Sequence, residues 1–149
     1  MITNLIRPVL EPHKVTSGYG WRFLNGKQNF HDGIDYINKN DERHVLAITK
    51  GVVIYDQDNY DDTLRWTNPT HSAGNMIIMK YNIHGIDYFI RYLHLIHNCV
   101  SISDVVEQGD VLGEYADVGY SFGAHLHFDM YLKNWKKVDP TPIMMKGLS

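Results

Sequence analysis

Three short segments carry side chains that could act together on a metal ion. The first is His31-Asp32-Gly33-Ile34-Asp35. An imidazole and a carboxylate four residues apart can meet on one ion if the chain turns between them, and Gly33 offers conformational freedom for that turn. The second is Arg91-Tyr92-Leu93-His94-Leu95, at the end of an apolar run. The third is Gly123-Ala124-His125-Leu126-His127-Phe128. Side chains alternate along a strand, so His125 and His127 would look toward the same face. Zinc takes neutral imidazole and carboxylate ligands, and a catalytic zinc keeps three protein ligands and one open position for water. Two histidines and one aspartate make such a set. Asp32 could replace Asp35, but beside His31 it would tend to point away. The remaining imidazoles suit the removal of a proton from water or the support of an oxyanion at neutral pH. There is no His-Glu-x-x-His segment, so the glutamate base of that peptidase class is missing and a histidine base is the natural substitute.

Each cluster is weak by itself. A single histidine is most often a surface residue, and His-x-His in a strand more often arises by chance than as a ligand pair. The weight comes from three clusters in one chain with nine histidines. His13, His44, His71, His84 and His97 lack a comparable setting and read as surface or structural, with His71 set apart by its polar loop.

The elements that must position these residues are β-strands. Runs rich in Val, Ile, Tyr and Phe recur at His44–Ile48, Gly51–Tyr55, Asn75–Tyr81, Ile86–Leu95, Val111–Tyr115 and His125–Leu132, with turn-forming residues between them. Asn82-Ile83-His84-Gly85 reads as a hairpin connection with Gly85 at positive φ. Tight turns are expected at Lys50-Gly51, Glu107–Asp110 and Tyr120–Gly123. A helical turn is expected near Ile102–Val106, and no window sustains longer helical periodicity. Asp56–Gly74 is polar and reads as a long surface loop, a class that is often functional. The fold class expected is mostly β: one compact domain over residues 1–149, with an antiparallel sheet core and long groove-forming loops.

Composition sets bounds on partners. The chain has 149 residues, 44% hydrophobic and 21% charged, with a net charge of -3, which is ordinary for a soluble globular domain. No basic cluster points to nucleic acid. No apolar run approaches the about 20 residues that span a bilayer, so membrane insertion is not expected. Cys99 is the single cysteine, so no internal disulfide can form. The first residues, Met1 to Pro12, lack the basic and apolar regions of a secretory signal.

With these segments assembled, the chain resembles the lysostaphin-type (LytM-like) family of zinc peptidoglycan endopeptidases. The family pattern is His-x-x-x-Asp followed far downstream by His-x-His, matched here by His31, Asp35 and His125-Leu126-His127. Ser17-Gly18-Tyr19-Gly20-Trp21-Arg22, His31–Tyr36, Val45–Val53, Gly74-Asn75, Gly109-Asp110 and Val138-Asp139-Pro140 resemble its flanking motifs. The likeness covers about residues 17–140. It implies that His31, Asp35 and His127 hold one zinc ion per chain and that His94 and His125 are catalytic. The implied substrate is a peptide cross-link or stem peptide of peptidoglycan, handled by a monomer. The implied place of action is the cell wall, whether extracellular, periplasmic or virion-associated. A phage lysin or a piece of a larger secreted chain would both lack a leader here. The rival reading is a non-catalytic wall-binding or scaffold module that keeps a zinc. Departures from the family fall at Asp56–Ser72, which is longer, and Glu114–Gly123, which is compressed. Both would be loops at the rim of the groove, so specificity is expected to reside there.

Overall fold

The computed structural model describes residues 4–147. Met1-Ile2-Thr3, the start of the segment read for a leader, lie outside the described residues. Twelve strands and one short helix follow in chain order: β1 (His13–Ser17), β2 (Gly20–Leu24), β3 (Lys27–His31), β4 (Ile34–Asn38), β5 (His44–Leu46), β6 (Gly51–Gln57), β7 (Asn75–Ile83), β8 (Ile86–Asn98), β9 (Val105–Val106), β10 (Val111–Tyr115), β11 (Leu126–Leu132), β12 (Lys137–Val138) and α1 (Thr141–Gly147). The fold is mostly β and antiparallel, as expected. The main sheet runs β1-β4-β11-β8-β7-β6-β9, with β10 joining β5 to β8 and β12 beside β11.

Alternation builds the core. Leu126, Phe128 and Met130 of β11 are fully buried. They meet Ile34 and Tyr36 of β4 and Ile90 and Tyr92 of β8 in one apolar cluster. The Phe128 ring packs edge-on to Tyr36 and Tyr92 at 5.8 and 5.4 Å. Tyr92 and Tyr81 pair their hydroxyls at 2.6 Å, so neither buried oxygen lacks a partner. The intervening residues of β11, His127 and Asp129, therefore face the opposite side of the sheet.

The remaining elements depart from expectation in instructive ways. The β7–β8 connection is a two-residue turn, His84-Gly85, with φ of 52° and 82°, and both strands extend further than their apolar runs. No helical turn forms at Ile102–Val106: Ser103 takes a left-handed turn and Val105–Val106 pair with β6 instead. Backbone pairing with Gly51 and Val52 satisfies that segment better than an isolated turn could. β2 and β3 form a separate two-stranded hairpin, mostly exposed, around Asn25-Gly26 with φ of 53° and 76°. The polar loop after β6 holds two 3₁₀ turns, Asp62–Leu64 and Pro69–His71, each capped by the preceding Asp61 or Asn68 side chain. Among the described residues no helix is long and apolar enough to cross a membrane.

Candidate metal centre

Strand register places the first pair of residues. Asp35 of β4 lies directly opposite His127 of β11, on the face turned away from Phe128. His31 closes β3, and a bend at Gly33 returns the chain into β4. The three side chains are buried and converge. His127 Nδ1 lies 3.0 Å from Asp35 Oδ1, His31 Nε2 lies 3.2 Å from that same oxygen, and the two imidazole nitrogens are 3.3 Å apart. Tetrahedral zinc with bonds of about 2.0–2.1 Å requires donor-to-donor edges of about 3.3–3.4 Å. The donor triangle therefore has the chemistry and size for one zinc ion.

Each imidazole is turned by a second contact. His31 Nδ1 donates to the Gly18 carbonyl at 2.8 Å, which leaves Nε2 as the free donor atom. Arg22 donates to Ser17 Oγ at 2.7 Å, and Ser17 Oγ lies 3.3 Å from His31 Nδ1. His127 Nε2 faces Asp129 Oδ2 at 3.0 Å, leaving Nδ1 for an ion. Arg91, opposite Asp129 in the β8–β11 register, holds that fully buried carboxylate with two bonds of 2.8 and 2.6 Å. Asp32 does not join the triangle. It pairs with Lys137 and reaches His127 only on the Nε2 side, at 3.6 Å.

Electrostatics favour positive charge here. Burial opposes ionisation of Asp35, but hydrogen bonds from His127 and His31 prevail and hold its carboxyl well below the usual range. Burial would disfavour a charged His127, yet Asp129 and Asp35 push its pKa up to about 9. Asp35 thus places negative charge where the donors converge, and Asp129 sits against the far side of the His127 ring. Asp129 is likewise lowered, by Arg91 and His127 against the cost of burial.

His94 and His125 lie beside the triangle. Their rings are 4.7 Å apart, and His94 is 6.2 Å from the His127 ring. His125 Nε2 is 3.7 Å from Asp35 Oδ1. His94 Nδ1 donates to the Val118 carbonyl at 2.9 Å, and His125 Nδ1 donates to the Gly123 carbonyl at 2.9 Å. Both therefore keep an Nε2 lone pair. Burial, then the neighbouring His125 and His127, push the His94 pKa down to about 3, so its imidazole is neutral at working pH. His125 precedes β11 rather than lying within it, and its direction comes from the Gly123 carbonyl. His94 lies inside β8, not at its end. There β7 advances from Asn75 to Ile77 while β8 advances from Leu95 to Tyr92, and His94 takes φ of +65° in the resulting bulge.

All five residues singled out in the sequence thus lie in one cluster, and His13, His44, His71, His84 and His97 lie outside it. Sequence reasoning assigned no role to Asp129 or Arg91. The signal was available: the period-two pattern His125-x-His127 continues to Asp129. Gly33 also serves differently from expectation. It does not occupy the left-handed region. A Cβ there would lie 2.8 Å from the His127 ring and 2.7 Å from the Phe128 carbonyl, so its task is clearance.

Comparisons with known proteins bear on the family and the fold of the chain. The model of peptidase family M23 matches residues 29–140. An uncharacterized metalloprotease of Buchnera aphidicola subsp. Baizongia pistaciae is 29% identical over 136 residues, covering 89% of this chain and 32% of the relative. The chain therefore spans about a third of that relative's length. Among solved structures, the catalytic domain of the antimicrobial peptidase lysostaphin from Staphylococcus simulans is 27% identical with a TM-score of 0.66, covering 89% of this chain and 92% of that one. A point mutant of the catalytic domain of the prophage-encoded M23 protein EnpA from Enterococcus faecalis shares the fold, at 24% identity and a TM-score of 0.68, covering 91% of this chain and 95% of that one.

Proposed function

The chain belongs to peptidase family M23, and from that premise we propose that it is a zinc endopeptidase hydrolysing peptide cross-links or stem peptides of bacterial peptidoglycan. One zinc per chain is held by His31, Asp35 and His127. The observation that carries the reading is a donor triangle of 3.0–3.3 Å with the His94 and His125 imidazoles beside it. A site that only held a structural ion would need neither His94 nor His125.

When bound, zinc supplies Lewis acidity to the scissile carbonyl and lowers the pKa of water. The protein's own groups do the rest. His94 and His125 present Nε2 lone pairs, and between them they accept the proton of the attacking water and return one to the leaving amine. Burial keeps His94 neutral and able to accept. Arg91, through Asp129, keeps His127 turned with Nδ1 inward. The hairpin β2–β3 ends at His31, the loop 116–124 supplies the carbonyls that meet His94 and His125, and the exposed rings of Trp66, Tyr120 and Phe122 pack together where that loop meets the loop 58–74. An extended peptide suits such an aromatic rim, and a monomer acting at the cell wall suffices for it.

The test is release of fragments from purified peptidoglycan by the zinc-loaded chain. Mass spectrometry should find new free amines at one class of peptide bond, lost when zinc is chelated. Peptidoglycan left intact by a fully zinc-loaded chain, whatever its cross-bridge, would instead favour a scaffold module.

A further inference from the structure

The loops 58–74 and 116–124 meet beside the candidate site, and the Arg65 side chain reaches from one to the other. Arg65 Nε donates to the Gly119 carbonyl at 2.8 Å, and Nη2 donates to the Ser121 carbonyl at 2.8 Å and to Asp117 Oδ1 at 2.6 Å. The guanidinium is mostly covered, and it lies 4.6 Å from the Trp66 ring. Two backbone N–H groups of the second loop close the same seam. Gly119 N donates to the Tyr60 hydroxyl at 3.0 Å, and Tyr120 N donates to the Ser72 carbonyl at 2.7 Å. Gly119 has φ of +73°, and a Cβ there would strike Ser72 O and Gly74 N.

The acceptors of Arg65 interleave with two other carbonyls. Val118 O receives the Nδ1–H of His94, and Gly123 O receives that of His125. Asp117, held by Arg65, also accepts from Gly123 N at 3.1 Å. Residues 117, 119 and 121 are thus fixed by one planar fork. Residues 118 and 123, in the same segment, set which nitrogen of each histidine carries the proton. A hydrogen bond at one ring nitrogen decides what the other can do.

We infer that Arg65 is a positioning residue, which clamps segment 117–123 so that His94 and His125 are each held as the Nδ1–H tautomer with Nε2 free. The consequence for rate rests on the reading of these two histidines as the proton-transfer pair. The consequence for tautomer does not. A lysine would not replace the clamp, because an ammonium cannot reach three acceptors in the fixed plane of a guanidinium.

The experiment uses the zinc-loaded full chain and its R65A and R65K variants. Long-range ¹H–¹⁵N spectra of the imidazoles report the tautomers, metal analysis reports zinc, and fragment release from peptidoglycan reports rate. Both variants should keep zinc and fold. Both should lose the single Nδ1–H tautomer at His94 and His125, and kcat should fall about 10–100-fold, the usual effect of removing a supporting partner. A parent chain that releases nothing would sink the proposed function while leaving the tautomer shift as the test of the clamp. Unchanged tautomers in R65A overturn the clamp, even if the rate falls. If R65A does not fold, R65K decides: wild-type tautomers and rate in that variant overturn it equally.

Discussion

His94 combines a functional position with a backbone that resists its side chain. Its φ of +65° lies in the left-handed region, where a non-glycine residue typically costs on the order of 1–2 kcal/mol. The bulge is held from both sides, by His94 N on the Ala73 carbonyl at 2.6 Å and by Ala116 N on the His94 carbonyl at 2.9 Å. Glycine would relieve the strain and alanine would not. Both His94→Gly and His94→Ala should keep zinc and lose about 10²–10⁴ in rate. His94→Gly should be the more stable of the two by about 1 kcal/mol. Urea unfolding of both variants checks this, and an alanine variant of equal or higher stability would remove strain from the account. The Asp129 carboxylate belongs to the same scale. It has no exposure at all, and Arg91 supplies two of its bonds. Arg91→Ala should leave a buried charge poorly paired, costing about 3 kcal/mol. It should also weaken zinc affinity about 10–100-fold by freeing the His127 ring. Competition with a calibrated chelator measures the second effect, and unchanged affinity would show that Asp129 alone orients the ring.

At the scale of elements, β11 does two tasks at once. Its even-numbered residues Leu126, Phe128 and Met130 build the core, and its odd-numbered His127 and Asp129 build the site. Phe128→Ala should therefore cost about 3–5 kcal/mol. Gly33→Ala should act differently, because its Cβ would meet the His127 ring and the Phe128 backbone. That variant should lose zinc more than it loses stability. Metal analysis beside thermal unfolding separates the two, and a Gly33→Ala chain with full zinc would refute clearance as the role of Gly33. The same element explains what the sequence made legible. Runs rich in β-branched and aromatic residues marked β6, β7, β8, β10 and β11 nearly to their ends, since each supplies side chains to the core. β2 and β3 carried no such run, because the hairpin buries almost nothing, and its Asn25-Gly26 turn was not read from the sequence. Helix α1 is seven residues, too short for periodicity, though Asp139 Oδ1 accepts from Thr141 N at 2.9 Å to start it. The juxtaposition of His31, His94 and His127 was readable only through family likeness. Strand order sets it, and local spacing does not encode strand order.

For the molecule as a whole, the question is whether the fold depends on the ion. The donors come from β4, from β11 and from the end of β3. Without an ion they still have partners: His127 has Asp35 and Asp129, and His31 has the Gly18 carbonyl. On the far side of the sheet the apolar cluster runs from Leu5 to Met144 and contains no donor residue. A small domain that folds only around its metal lacks such a core, whereas this chain buries one large enough to stand without it. Metal removal should therefore leave strand content unchanged in far-ultraviolet circular dichroism. Zinc should add stability by mass action, about 2.7 kcal/mol at a free concentration one hundred times Kd. For a chain of this length that corresponds to a rise in Tm of roughly 5–10 °C. The His127→Ala variant should show no such rise, and its apo form should unfold cooperatively. Loss of the β signal on chelation at room temperature would mean that the ion, and not the sheet, holds β3, β4 and β11 together.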